Sequence, residues 1–265
     1  MKTIFITGAS AGLGKATAKL FAANGWRVIA TMRNPEKEQE LKAIGNITLL
    51  PLDVTNPEQI QKTVQEATAI ADIDVVFNNA GYGLIAPLEA TRDEQIMRQF
   101  DTNVFGVIRV TQAFIPYFRA KGRGLFLITT SIAGFMGIPL SSIYNSTKFA
   151  IEGWAEGLSF EMHQLGIDVK TVAPGGIKTD FISRGLDTAA HAAYDEMTKK
   201  LYSSFNPDNF TPAEEIAKVI WEAATDGTKQ LRYRAGNDAV SLHEQQEQLG
   251  REGFRLENER FYFGN

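Results

Sequence analysis

The amino-acid sequence predicts an α/β fold, a single doubly wound domain in which a parallel sheet carries helices on both faces. Two observations support this prediction. Short apolar runs typical of buried strands alternate along the chain with longer segments whose apolar residues recur at helical spacing. A glycine-rich loop joins the first of these strands to the first helix. Because no internal repeat, linker or low-complexity stretch interrupts the pattern, we treat residues 1–265 as one domain.

The first strand, residues 2–7, runs into a loop in which glycines stand at positions 8, 12 and 14, and a helix follows. Glycine lets the backbone approach a diphosphate, and a helix N-terminus offers unpaired N–H groups to an anion. The spacing is Gly-x-x-x-Gly-x-Gly, not the commoner Gly-x-Gly-x-x-Gly. A glycine loop can also be a plain tight turn, but its place at the first strand-to-helix crossing favours a nucleotide site.

The second strand, residues 27–31, ends in Met32 and Arg33. An acidic side chain at this point would accept hydrogen bonds from the ribose 2′-hydroxyl and repel a 2′-phosphate. Arg33 instead can pair with a 2′-phosphate, which favours NADP over NAD; the alternative is a solvated surface arginine. Pro35 suits the first position of a new helix, with Asn34 as its cap.

Further strands are expected at residues 47–52, 74–77, 124–130, 167–173 and 229–234. The capping box at residues 91–94 predicts a long helix that reaches about Phe118, and a second box at residues 211–214 predicts another. Within the long helix, Asn103 and Gly106 are unexpected because both residue types destabilise a helix interior. A local reason for them is therefore expected.

Ser131, Tyr144 and Lys148 are the candidate chemical groups. Tyr144 and Lys148 are four residues apart on a predicted helix, so their side chains share one face. A lysine there would favour the phenolate and lower the pKa of the tyrosine from its usual value of about 10, which would suit an acid or base. Ser131 follows an apolar strand and could hold a substrate oxygen. Alone, such a pair is more often a solvated surface pair.

Two later segments depart from the alternating pattern. Between residues 179 and 209 the periodicity loosens, and we expect an insert that covers the substrate; a plain surface excursion is the alternative. Residues 236–265 form a polar C-terminal tail of helical composition.

Composition narrows the class of protein. Hydrophobic residues make up 44% and charged residues 22% of the chain, and a net charge of −4 gives no electrostatic reason to expect nucleic acid. There is no cysteine, which excludes disulfides and thiolate zinc sites, and the three histidines show no metal-ligand spacing, so no metal is expected. No segment approaches the roughly 20 apolar residues of a membrane span or the pattern of a signal peptide. We therefore expect a cytoplasmic protein.

Together these elements resemble the classical short-chain dehydrogenase/reductase family, of the NADP-preferring type, over nearly the whole chain. The motifs that carry the resemblance are Thr7-Gly8-x-x-x-Gly12-x-Gly14, Asp53, Asn78-Asn79-Ala80-Gly81, Asn103, Ser131, Tyr144-x-x-x-Lys148 and Pro174-Gly175. The resemblance implies a single Rossmann-type domain with about seven strands. It also implies hydride transfer between a nicotinamide and a carbonyl or secondary alcohol, with Asn103, Ser131, Tyr144 and Lys148 as a catalytic tetrad.

The same resemblance implies an NADP(H) site. Its expected residues are Gly8, Ser10, Gly12, Leu13, Gly14, Arg33, Asp53, Val54, Asn79, Ala80, Gly81, Tyr144, Lys148, Pro174, Gly175, Ile177 and Thr179. Asp53 would contact the adenine, although it could simply cap a turn. Asn103 would hold a water that links Lys148 to solvent, and Thr179 would bind the carboxamide.

The substrate is expected to be a hydrophobic carbonyl compound or alcohol, bound by residues 137–142, the insert at 179–209 and the tail. Family members are commonly dimers or tetramers packed on the helices that hold Asn103 and Tyr144, so a homodimer or homotetramer is expected. The alternative function is a non-catalytic NADP(H)-sensing or interaction protein on the same fold. The complete tetrad favours the enzyme.

Overall fold

A computed structural model describes residues 1–179, 186–204 and 206–264 of the chain. Seven strands form one parallel sheet in the order β3–β2–β1–β4–β6–β7–β11. They are β1 (Thr3–Thr7), β2 (Arg27–Met32), β3 (Ile47–Pro51), β4 (Val75–Asn78), β6 (Gly124–Thr129), β7 (Ile167–Pro174) and β11 (Arg232–Ala235). The strand order runs outward from β1 in one direction and then from β4 in the other. The predicted doubly wound sheet is confirmed, and its switch point lies between β1 and β4.

Helices cover both faces of the sheet. They are α1 (Gly12–Ala23), α2 (Pro57–Ile70), α3 (Asp93–Phe100), α4 (Val107–Lys121), α5 (Ser142–His163), α6 (Asp195–Ser204), α7 (Ala213–Thr225) and α8 (Asn237–Phe263). Alternate residues of a strand point to opposite faces. Accordingly, Ile4 and Ile6 pack with α1 and α7 in one buried core. Phe5, between them, packs with α2, α4 and α5 in the other.

Within the described residues, two pairs of short strands lie outside the main sheet. β5 (Gly83–Ile85) pairs with β9 (Leu186–Thr188), and β8 (Ile177–Lys178) pairs with β10 (Thr211–Pro212). The expected insert at 179–209 thus contains β9 and α6 in its described part, while its residues 180–185 and 205 lie outside the described residues.

The long helix predicted from the box at 91–94 is divided in two. Between α3 and α4, residues Asp101–Gly106 form a wide π-helical turn. A Cβ on Gly106 would lie 2.8 Å from Cγ2 of Val54, so only glycine allows this helix to approach the loop after β3. The local reason expected for Gly106 is therefore close packing, and that for Asn103 is described below.

Three local predictions were wrong. The helix expected at Pro35 is only the 3₁₀ turn Pro35–Lys37, and the side chain of Asn34 does not cap it. The turn ends at Glu38, because the Glu38 carboxylate accepts the N–H groups of Glu40 and Leu41. Helix α3 starts at Asp93 and not from a Thr91 cap, since the hydroxyl of Thr91 donates to the carbonyl of Pro87.

The third concerns the box at 211–214. Thr211 lies in strand β10 and gives no cap to α7, which begins directly after Pro212. By contrast, the helical tail is confirmed as α8, which has a break at Gly250 (φ 68°, ψ 166°). Across the described ranges, no helix combines the length and apolarity needed to span a membrane.

Candidate active site

The glycine loop is pressed against the loop that follows β4. Gly8 has φ +68°, and a Cβ on it would lie 2.8 Å from Cα of Ala80. A Cβ on Gly14 would lie 2.4 Å from the carbonyl oxygen of Gly8 and 2.6 Å from Nδ2 of Asn79. Any larger residue would push the two loops apart. The glycines therefore bring the first turn of α1 to the carboxyl end of the sheet.

Asn79 ties three strand ends together. Its backbone N–H and that of Ala80 donate to the hydroxyl oxygen of Thr7 at 2.9 and 3.0 Å. Its side-chain nitrogen donates to the carbonyl of Thr7 at 3.1 Å, and its side-chain oxygen accepts from the hydroxyl of Thr129 at 3.3 Å. The polar atoms of the Asn79 side chain thus already have protein partners, and they hold the ends of β1, β4 and β6 together.

The N-terminus of α1 is open to an anion. Its N-cap, Ala11, has no side chain that could satisfy the first N–H groups, and Ser10 beside it is exposed. Such free N–H groups bind phosphate well. Lys15 in this turn is not free, because its Nζ lies 3.0 Å from Glu38 and 2.8 Å from Glu40.

Arg33 stands at the end of β2 and is exposed. Within the described residues it pairs with no carboxylate. The glycine cradle and the open helix N-terminus fit the diphosphate of a dinucleotide. Asp53 is held by its own turn: its Oδ1 accepts the N–H of Thr55 at 2.9 Å and the Thr55 hydroxyl at 2.7 Å. The turn-capping role weighed for Asp53 is thus confirmed, while its adenine contact stays a prediction, as does that of the buried Val54.

The loop after β7 returns to the glycine loop. Pro174 is buried at the end of the strand, and the N–H of Gly175 donates to the carbonyl of Ala235 at 3.1 Å. Thr179 follows the short strand β8, and its Cγ2 would lie 3.5 Å from a Cβ placed on Gly12. The two ends of the predicted cofactor site therefore converge on one cleft, with Ile177 partly buried between them.

Ser131, Tyr144 and Lys148 meet where β6 ends. Ser131, 7% exposed, begins a 3₁₀ turn, and its Oγ accepts the N–H of Ala133 at 3.1 Å. The half-buried Tyr144 shares a hydrogen bond with the Ser131 side chain. Lys148, 8% exposed, donates from Nζ to the carbonyl of Thr129 at 3.1 Å, and Nζ lies 5.8 Å from the centre of the Tyr144 ring.

The expected lowering of the Tyr144 pKa was wrong. Burial raises the pKa of Tyr144, and the hydrogen bond with Ser131 opposes this effect only in part. Lys148 does not offset it, because its Nζ points to the Thr129 carbonyl. Burial also lowers the pKa of Lys148 to about 8, against the attraction of Glu152. The pair consists of a protonated phenol and an ammonium that is close to titration at neutral pH.

Asn103 is 2% exposed and lies in the wide turn between α3 and α4. Its Oδ1 accepts the N–H of Tyr82 at 3.1 Å, and its Nδ2 donates to the carbonyl of Tyr82 at 2.9 Å. Nδ2 also lies 3.5 Å from the hydroxyl of Thr147, the neighbour of Lys148. The side chain therefore fixes the loop after β4, and a water at this residue would have to bind its main chain.

Two further buried polar residues on α3 escaped the sequence reasoning. Gln95 and Gln99 are 1% and 0% exposed and lie at four-residue spacing with Asn103. Gln99 donates to the carbonyl of Tyr82 at 2.8 Å, and Gln95 donates to Oδ1 of Asp187 in β9 at 2.8 Å. Their spacing was visible in the sequence, but a polar stripe on a helix normally indicates a solvent-exposed face.

Comparison with known proteins gives a consistent result. Residues 2–190 match the family model described as short chain dehydrogenase. An uncharacterized oxidoreductase of Schizosaccharomyces pombe is 41% identical over 212 residues, which are 79% of this chain and 90% of the relative. A 3-ketodihydrosphingosine reductase of Bacteroides thetaiotaomicron is 39% identical over 179 residues, 67% of this chain and 65% of that protein. Retinol dehydrogenase 8 of Bos taurus is 30% identical over 262 residues, 91% and 83% of the two chains.

Solved structures agree. A short-chain dehydrogenase from Streptomyces avermitilis superposes with a TM-score of 0.82 at 31% identity and covers 94% of this chain and 96% of its own. ElxO with NADP bound superposes with a TM-score of 0.77 at 26% identity, covering 91% and 99% of the two chains. Sequence, fold and site geometry lead to one assignment: the chain belongs to the short chain dehydrogenase family of oxidoreductases.

Proposed function

We propose that this oxidoreductase uses NADP(H) to transfer hydride between the nicotinamide and a carbonyl or secondary alcohol, with Tyr144 as the acid/base. The observation that carries the proposal is the meeting of Ser131, Tyr144 and Lys148 at the carboxyl end of β6, beside the cleft between the glycine loop and the loop after β7. A hydroxyl, a phenol and a buried ammonium at this position can bind and protonate a substrate oxygen.

Each side chain has a distinct task in the proposed reduction. A nicotinamide held between the glycine loop and residues 174–179 would supply the hydride to the carbonyl carbon. Ser131 donates a hydrogen bond from Oγ to the substrate oxygen and polarises the carbonyl. Tyr144 delivers the proton from its phenol, and Lys148 stabilises the resulting phenolate once its Nζ, 5.8 Å from the centre of the Tyr144 ring, turns from the Thr129 carbonyl towards the phenol. Burial raises the pKa of Tyr144, so the phenol holds its proton at neutral pH until negative charge develops on the substrate oxygen.

Replacing Tyr144 with phenylalanine tests the mechanism. The variant loses only the hydroxyl, so NADPH binding should stay near that of the wild type. Turnover should fall by about 10²- to 10⁴-fold, the usual contribution of a general acid. Tyr194→Phe is the matched control, because it removes the same hydroxyl from a partly exposed tyrosine that donates to Glu89 at 3.0 Å. Unchanged turnover in the Tyr144 variant would contradict the mechanism, and a wild-type chain that binds NADPH but turns over no substrate would favour the sensor function instead.

The preference for NADP rests on Arg33, which has no carboxylate partner in the described part of the chain. The NADP bound to the structural relative ElxO supports the same choice. Arg33→Ala should weaken NADPH about tenfold or more, as expected for the loss of a charge-assisted hydrogen bond, and leave NADH nearly unaffected. Arg119→Ala, an exposed arginine at the end of α4, is the control. Equal effects on the two cofactors would refute the assignment.

A long, apolar substrate is part of the proposal. Two relatives are named for retinol and for 3-ketodihydrosphingosine, which are both long, apolar molecules. A cavity of about 620 Å³ is lined by Met136–Leu140, Met197 of α6 and residues of α8, including Phe254 and Tyr262. Its lining includes neither Ser131 nor Tyr144, so it would hold the part of a substrate remote from the reacting carbon. Turnover of aldehydes, ketones and secondary alcohols of increasing chain length would test this.

Self-association through α4 and α5 is also proposed, as a homodimer or homotetramer. On α5, Gly153, Gly157 and Phe160 form one exposed face, and Phe160 is 68% exposed. Phe105, before α4, is 42% exposed. Such apolar exposure favours burial against a second copy. We also propose that the protein is cytoplasmic, as expected from the sequence.

A further inference from the structure

The start of the C-terminal helix touches the loop after β7. Asp238, the second residue of α8, accepts the backbone N–H of Gly176 on Oδ2 at 2.7 Å. Its other oxygen, Oδ1, accepts the N–H of Ala239 at 2.9 Å. The second bond is ordinary for an acidic residue in the first turn of a helix. The first bond is not, because it joins positions 62 residues apart in the chain.

The surrounding backbone is shaped to admit this carboxylate. A Cβ on Gly175 would lie 2.1 Å from Oδ2 and 2.2 Å from Oδ1 of Asp238. Gly236 has φ +102°, and a Cβ there would lie 2.8 Å from Oδ1. The Asp238 side chain thus occupies the space that side chains at positions 175 and 236 would need. The two glycines and the aspartate form one interlocking contact.

From Gly176 the contact continues to the cleft. The carbonyl of Gly176 accepts the N–H of Thr211 at 2.9 Å, and strand β8 then pairs with β10. Thr179, the next residue after β8, lies against the glycine loop at Gly12. The conformation of residues 174–179 is therefore fixed at one end by Asp238 and at the other by the glycine loop.

We infer that Asp238 is a positioning residue for the cofactor: through the peptide of Gly176 it holds residues 174–179 in the shape that receives the nicotinamide half. This inference rests on the proposed function, since it takes these residues as the nicotinamide loop. Asp238 acts without touching the cofactor. It gives the C-terminal tail a task in the reaction, because the helix that carries Asp238 then helps to determine how the nicotinamide lies.

The test separates helix capping from loop holding. In Asp238→Ser, the shorter hydroxyl can still cap the helix at Ala239 but cannot reach Gly176. Asp238→Asn keeps an oxygen at full reach and should restore the wild-type behaviour. Glu244→Ala, an exposed acid on the same helix, is the control. Binding is measured by titration calorimetry with NADPH and with 2′-phospho-ADP-ribose, which lacks the nicotinamide.

Asp238→Ser should weaken NADPH about tenfold, as expected for a lost hydrogen bond to a charged group, and leave 2′-phospho-ADP-ribose within about twofold of the wild type. Equal weakening of both ligands would show a general structural role, and no change in either would overturn the inference directly. If Asp238→Ser does not fold, the same comparison with Asp238→Asn and Gly236→Ala decides, since a methyl at position 236 would displace the Asp238 carboxylate and only this variant should weaken NADPH selectively. A wild-type chain that binds neither ligand would instead refute the proposed function, and the inference with it.

Discussion

Lys148→Met should make the protein more stable at pH 7 while abolishing turnover. Burial lowers the pKa of Lys148 from 10.5 to about 8. Because a tenfold change in a protonation equilibrium is about 1.4 kcal/mol, the buried ammonium costs the folded protein roughly 3 kcal/mol. Methionine removes this cost and fills a similar volume. It also leaves the Thr129 carbonyl without its donor, a loss of about 1–2 kcal/mol. The variant should therefore gain about 1–2 kcal/mol in its free energy of unfolding.

The gain should depend on pH in a defined direction. The folded pKa lies below the unfolded one, so below about pH 8 both states are protonated and the wild type bears the full penalty. As the pH rises from about 8 to 10.5, the folded chain releases the proton first and the penalty disappears. Near pH 10.5 only the lost hydrogen bond to Thr129 remains. The variant should then be less stable than the wild type by about 1–2 kcal/mol.

Urea unfolding of the cofactor-free protein at pH 7 and pH 10.5 measures this reversal, and turnover is assayed in parallel. Lys62→Met is the matched control, because Lys62 is exposed on α2 and should change stability by no more than about 0.5 kcal/mol at either pH. Two results would refute the reasoning: a variant less stable than the wild type at pH 7, or a stability difference that does not change with pH. A substitution that raises stability and abolishes turnover is typical of a residue whose side chain serves catalysis.

Two further predictions concern stability and assembly. Lys170, with a side chain only 3% exposed, donates to Oδ1 of Asp226 at 2.5 Å. Burial raises the Asp226 pKa, but the hydrogen bonds from Lys170 and Tyr233 outweigh this effect and lower the pKa to about 2. Asp226→Asn should lower the free energy of unfolding by about 2–4 kcal/mol at pH 7, because a buried ammonium loses its partner. Since the folded pKa of Asp226 lies below the ordinary 3.8, the difference between wild type and variant should shrink when urea titrations are repeated from pH 4 towards pH 2. A difference that stays constant over this range would contradict the ion pair. Phe160→Glu on α5 should convert the oligomer to a monomer by light scattering with an unchanged circular dichroism spectrum, and an unchanged mass would exclude α5 as the interface.

The sequence predicted the elements whose signals are local. Asn56 stands directly before Pro57 in the sequence, an order typical of a helix start, and its side chain caps α2 by accepting the N–H of Gln59 at 2.9 Å. Gly25, with φ +77°, follows the end of α1 as a left-handed residue should. Tyr144 and Lys148 were found because helical spacing alone places them on one face.

What the sequence could not supply depends on contacts between distant residues. The direction of the Tyr144 pKa depends on how deeply the phenol is buried and on Lys148 turning to Thr129. The partner of Asn103 is a peptide 21 residues earlier, at Tyr82. Asp238 reaches Gly176 only because β11 and β7 are neighbours in the sheet. No periodicity or composition encodes these pairings.

The wide turn at Asp101–Gly106 limits how far this protein could be made heat-resistant by improving its helices. An engineer would replace Asn103 and Gly106 with alanine, each worth up to about 1 kcal/mol in a regular helix. At Gly106 the new methyl would lie 2.8 Å from Val54. At Asn103 the Tyr82 peptide would lose two of its three side-chain hydrogen bonds, and its N–H would lose its side-chain acceptor. Each replacement would thus lose more in packing and hydrogen bonding than it gains in propensity. Thermostable relatives with this arrangement should keep the irregular turn and gain their stability elsewhere.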